Sequence, residues 1–170
     1  MSNILYFTDY KTILETNNYC VFIPSIPHVD RADGGHICIS IKHDNIFTLQ
    51  ELSIDQLFEL SVLTTAVGEA MLTVGKNQGI DIELINYQIN GNWTYKQIGG
   101  ANLHLHLYGR AVSSKKQTFG QCLFFPDKKT DPAFYSNNMP FYDNEVELIR
   151  QKIIYVLKTK YKKYSASVIM

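Results

Sequence analysis

Residues 102–110 read NLHLHLYGR. In an extended chain successive side chains point to opposite faces, so Asn102, His104 and His106 fall on one face and Leu103, Leu105 and Leu107 on the other. The leucines give such a strand a side to bury against another element. The polar row opposite needs its own reason, because burying an imidazole or amide without partners costs roughly 1–3 kcal/mol each. A ligand or a polar network must satisfy it. A free imidazole titrates near pH ~6.5, so a histidine in that row can act as acid, base or nucleophile near neutrality.

The polar, glycine-bearing stretch 90–101 reads as a loop, and IDIELINYQI before it, residues 80–89, as a strand. Ser53 and Gln56 have capping-box spacing. Behind them the spacing of Leu60, Leu63, Val67, Met71 and Val74 predicts a helix from Ile54 to Asn77, with a stripe that must cover one face of a sheet. Upstream, YCVFIP (Tyr19–Pro24) reads as the first strand and HICISIKH as the second, from about His36 to Lys42. The two form a hairpin across a polar connection carrying Asp30, Arg31, Asp33 and two glycines. His28 and His43 lie in turn regions and read as exposed. Downstream of Arg110 the chain is irregular, and only Gln121–Phe125 suggests a further strand. A closing helix follows, with Asn144 as its N-cap and Val146, Ile149, Ile153, Val156 and Leu157 at helical spacing.

With 170 residues, 45% of them hydrophobic, the chain can bury one good core. We therefore expect a single α+β domain over 1–170, with a core at about 19–110 and an extension at 111–170 that ends in the closing helix. Sixteen basic residues balance sixteen acidic ones, so no overall field draws nucleic acid to the surface. The late cluster of Lys158, Lys160, Lys162 and Lys163 suits the end of a helix whatever the function. Cys20, Cys38 and Cys122 are odd in number and lack CxxC spacing, which fits free thiols in a reducing compartment. No charged leader opens the sequence, and no apolar run approaches the ~20 residues that span a bilayer. The expectation is a cytoplasmic protein with no membrane partner.

The run His104-Leu-His106-Leu-Tyr-Gly-Arg110 resembles the signature of the histidine-triad (HIT) family, His-φ-His-φ-His-φ-φ followed by proline or glycine and often arginine. Counting back from Arg110, the last triad position falls on His106, the central nucleophile on His104 and the first on Asn102, which departs from the pattern. His36 in GGHICISIKH matches the upstream histidine that opens the second strand in that family. The resemblance spans Tyr19 to Arg110.

It implies a HIT-like antiparallel half-barrel sheet with one long helix packed on it, a nucleotide ligand, and pairing as a homodimer. It also implies a hydrolase or nucleotidyl transferase that attacks the α-phosphate of a nucleoside phosphoramidate, a dinucleoside polyphosphate such as a diadenosine polyphosphate, or a related nucleotide. His104 would form a nucleotidyl-histidine (phosphohistidine) intermediate, dividing one displacement into two. His106 would contact phosphate oxygens or the leaving group, and His36 would stand behind them. Backbone N–H groups of the loop, with Gly99 and Gly100 allowing close approach, would bind non-bridging oxygens. Asn90 and Gln97 are candidates for phosphate contacts, as are Asn92, Tyr95 and Lys96. Asn102 can hydrogen-bond His36 or a phosphate but cannot carry charge, so turnover is expected to be slowed or altered. No cofactor is called for, and no catalytic metal on the triad. Trp93 and Tyr95 can stack on a base or simply pack their loop; Asp30 and Arg31 can contact ribose or phosphate, or be solvated.

Two other functions fit the same residues. One is a nucleotide-binding module with little turnover. The other is a zinc protein in which His104, His106 and His36 are the ligands.

Overall fold

The anticipated helix is present as α1, Ile54–Asn77, in a computed structural model that describes residues 9–90, 102–162 and 168–169. Its start is fixed reciprocally: Ser53 Oγ accepts from the Gln56 backbone N–H at 3.2 Å, and Gln56 Oε1 accepts from Ser53 N–H at 2.8 Å. The strands are β1 (Tyr10–Thr16), β2 (Tyr19–Pro24), β3 (His36–Ile41), β4 (Ile82–Gln88), β5 (His104–Ala111) and the two-residue β6 (Val168–Ile169). They form one open sheet in the order β4-β5-β3-β2-β1-β6, antiparallel between every pair of neighbours. The described residues also form a short helix, α2 (Ala133–Ser136), and the closing helix, α3 (Asp143–Lys160). This is the expected α+β architecture.

Helices α1 and α3 share one face of the sheet. Leu63, Val67 and Met71 from α1 and Ile149, Ile153 and Val156 from α3 join Ile37, Ile39, Leu103 and Leu107 in the main core. By length and composition α1 could cross a membrane, but here its apolar stripe is the lining of that core. On the opposite face a smaller cluster forms from Cys20, Phe22, Cys38 and Tyr10. With both faces covered, β2 and β3 are buried at every residue, which explains why they read as nearly continuous apolar runs.

Three expectations need correction. Strand β1 precedes the one read as first. Its pattern is hidden by the exposed Lys11 and Thr12 and by a register shift between Thr12 and Leu14, which breaks the two-residue alternation. Gln121–Phe125 forms no strand; it is irregular chain. The N-cap of α3 is Tyr142, not Asn144, because Glu145 Oε2 reaches back to accept the Tyr142 N–H at 2.8 Å.

Candidate active site

Register brings the candidate residues together. Strand β5 lies between β3 and β4, with Tyr108 opposite His36, His106 opposite Cys38 and His104 opposite Ser40. Opposed residues of an antiparallel pair share a face. One side of the sheet therefore collects His104, His106 and Tyr108 from β5 with His36 and Cys38 from β3. The ring centroids of His104 and His106 are 4.7 Å apart, and those of His36 and His106 are 5.1 Å apart. The three histidines singled out in the sequence are neighbours.

Hydrogen bonds fix the proton positions on these rings. The Asn102 carbonyl can only accept, so His104, at 2.8 Å, presents Nδ1–H to it. The neutral His104 ring then carries its lone pair on Nε2. Burial lowers the His104 pKa, against a smaller upward pull from the Asn102 carbonyl. At His36 the hydrogen bonds run inward: the His28 backbone N–H can only donate, and it meets His36 Nδ1 at 3.2 Å. The proton of neutral His36 is therefore on Nε2, which donates to His106 Nδ1 at 2.9 Å. His106 in turn carries its proton on Nε2. Complete burial, reinforced by its histidine neighbours and Lys128, holds His36 uncharged, and His106 is held so by burial, His104, His28 and Lys128. His36 and His106 are each 1% exposed, whereas His104 is half-buried.

His28, read as exposed, is buried in the same cluster. Its ring stacks on His36 at 4.9 Å, and its Nδ1 lies 3.0 Å from the Tyr108 hydroxyl. Burial, Lys128 and His104 bring its pKa down to about 3. No periodicity could have signalled it, since it lies between strands. The proline turn just before it, at Pro24 and Pro27, folds the connection back over the sheet. His43 is exposed as expected, and its Nε2 lies 2.8 Å from Asn18 Oδ1.

Asn102 does not reach His36. It sits just before β5 and donates its amide to the His43 carbonyl at 3.0 Å, tying the chain after β3 to the start of β5. Asn90 joins the other end of the row, donating to the Tyr108 hydroxyl at 3.2 Å. Gln97, Gly99 and Gly100 lie outside the described residues, as do Asn92, Trp93, Tyr95 and Lys96. Asp30 and Arg31 are structural: Asp30 accepts the Ala32 and Met139 N–H groups, and Arg31 pairs with Glu145 through two hydrogen bonds and lies over the Tyr142 ring.

The extension 111–143, illegible in the sequence, partly roofs this face. Phe125 packs 5.0 Å from Tyr108 and 5.6 Å from His28, and Tyr135 lies edge-on to His28 at 5.9 Å. Arg110 Nη2 donates to the carbonyls of Thr118 and Gln121, Asp33 accepts the N–H groups of Lys115 and Lys116, and Asn138 donates to the carbonyls of Pro27 and His28. This cap lies over the His28 and Tyr108 end and leaves His104 half-buried.

His28, His36 and His106 bring potential ligand atoms within 4.8 Å of one another, and Cys38 Sγ lies 3.2 Å from His36 Nε2 and 3.4 Å from His106 Nδ1. A ligating imidazole donates its second ring N–H to an acceptor. His36 does the reverse, since its second nitrogen receives a backbone N–H. Using His36 Nε2 as a ligand would set two donors against each other.

No family model matches this sequence, and no curated protein matches it either. Solved structures do. A hypothetical histidine triad nucleotide-binding protein from Sulfolobus tokodaii aligns over 92% of this chain and 91% of its own, at 14% identity and a TM-score of 0.56. A zinc-bound histidine triad family protein from Mycobacterium smegmatis aligns over 89% and 88%, at 15% identity and a TM-score of 0.55. A uridylyltransferase aligns over 84% of this chain and 40% of its own, at 15% identity and a TM-score of 0.52. The chain has the histidine-triad fold.

Proposed function

We propose that this protein is a histidine-triad nucleotide hydrolase or nucleotidyl transferase in which His104 attacks the α-phosphorus of a nucleotide. The observation that carries this is the His104 Nδ1–H bond to the Asn102 carbonyl. It leaves the lone pair on Nε2 of the one half-buried imidazole in the cluster, while burial keeps the ring uncharged. Attack forms the Nε2–P bond and breaks the bond from phosphorus to the leaving oxygen or nitrogen. Water or another acceptor then displaces His104, releasing the nucleotidyl group and restoring the ring. His106, with its proton on Nε2, donates to a phosphate oxygen or the departing atom. His36 and the His28 backbone N–H hold that proton in place.

The substrates that suit this chemistry are nucleoside phosphoramidates, dinucleoside polyphosphates and related nucleotides. A panel of adenosine phosphoramidate, diadenosine tetraphosphate and nucleoside diphosphate sugars tests it. Turnover of at least one by the native protein, lost in His104→Ala, is the expected result. Binding of nucleoside monophosphates without cleavage of any panel member would instead mark a nucleotide-binding module.

A zinc protein is favoured by one observation, the meeting of His28, His36 and His106, and disfavoured by the hydrogen-bond polarity at His36. Elemental analysis of protein purified without chelator separates the two, since about one zinc per chain is the signature of a metal site. The free thiols support a cytoplasmic location. The β4 edge, unpaired among the described residues and with Leu84 61% and Tyr87 49% exposed, supports a homodimer joined there.

A further inference from the structure

Lys128 sits on the cap, exposed and without an ion-pair partner among the described residues. Neither nearby carboxylate forms an ion pair with it among the described residues: Asp127 accepts the Lys129 N–H, Asp131 accepts the Phe134 N–H, and both act on Tyr135, raising its pKa. Lys128 Nζ instead lies over the ring of Tyr135, 5.3 Å from its centroid, and Tyr135 is the residue that meets His28 edge-on. Its charge reaches His28, His36 and His106, where it adds to the effect of burial in keeping those rings uncharged.

A site built from neutral imidazoles supplies hydrogen bonds but no positive charge, and a nucleotide brings two or more negative charges. Arg110, the next cation on the same face of β5, is buried, with Nη1 donating to Asn86 and Nη2 to the Thr118 and Gln121 carbonyls. Along the row the order is His104, His106, Tyr108, and the cap lies over the Tyr108 end. Phosphoryl transfer aligns attacking and leaving atoms roughly in line. Such alignment sends the leaving chain away from His104, and the row beyond that residue runs past His106 to the cap.

We propose that Lys128 is the cation that binds the phosphate chain beyond the attacked phosphorus, so that the cap selects nucleotides carrying two or more phosphates. This rests on the reading of the imidazole face as a nucleotide site. Titration calorimetry with AMP and with α,β-methylene ATP, on the full chain, tests it in wild type, Lys128→Gln and Lys128→Arg. In Lys128→Gln the affinity for α,β-methylene ATP should fall by about tenfold or more, as expected for losing one charge-assisted contact. The affinity for AMP should stay unchanged, and Lys128→Arg should restore the longer ligand. Equal affinities of wild type and Lys128→Gln for α,β-methylene ATP would overturn the assignment of Lys128 alone, as would equal weakening for both ligands. A wild-type protein that binds neither ligand would overturn the nucleotide site itself.

Discussion

Burial of three neighbouring imidazoles makes the protein sensitive to acid. His28 titrates near 3 when folded and near ~6.5 when unfolded. Above pH ~6.5 both states leave it neutral and stability is full. Below that value the unfolded chain takes up a proton that the folded one refuses, so stability falls with pH, by about 2 kcal/mol at pH 5 from His28 alone. His36 and His106 shift in the same direction. Urea unfolding at pH 7.5 and pH 5 should show this loss, and His28→Gln should have a visibly shallower dependence; a midpoint that does not move with pH would contradict the burial argument. His104 and His106 were legible because alternation in NLHLHLYGR puts them on one face. His36 was legible only through resemblance, and His28 not at all. A residue in a connection acquires its neighbours from the fold of that connection, which local spacing does not encode.

Elements bring these residues together through one close backbone approach. Gly34, at φ +125°, and Gly109 of β5 face each other so tightly that a Cβ on Gly109 would overlap the Gly34 carbonyl. The Gly109 N–H also donates to the Gly35 carbonyl at 3.1 Å. Gly109→Ala should push the His28-bearing connection off β5, costing about 1–3 kcal/mol as an overpacked site does and lowering kcat with it. Thermal melting and the turnover assay check both effects. Arg110 performs the matching task for the cap. Arg110→Ala removes the two bonds to the Thr118 and Gln121 carbonyls, so amide exchange across 117–126 should accelerate while α1 stays protected. The helix α1 and strands β2, β3, β4 and β5 could be read from capping and periodicity, because each is long enough to repeat its pattern. The cap could not. Its order comes from single long-range contacts, such as Asp33 to the Lys115 and Lys116 backbone, that leave no periodic trace.

At the scale of the whole molecule, two helices fill one face of the sheet and leave the other for imidazoles and the cap, while β4 ends the sheet with its hydrogen-bonding edge unpaired among the described residues. If two copies join at that edge, Leu84→Arg with Tyr87→Lys should convert a dimer to a monomer in analytical ultracentrifugation; a wild-type monomer at micromolar concentration would remove the dimer. The proposed chemistry requires that His104 become covalently attached to a nucleotide. Intact-mass and peptide analysis after brief reaction with adenosine phosphoramidate or diadenosine tetraphosphate and an alkaline quench, which preserves phosphorus–nitrogen bonds, should find one adenylyl group on His104 and none in His104→Ala. Turnover that persists in His104→Ala, or an adduct on another residue, would contradict it.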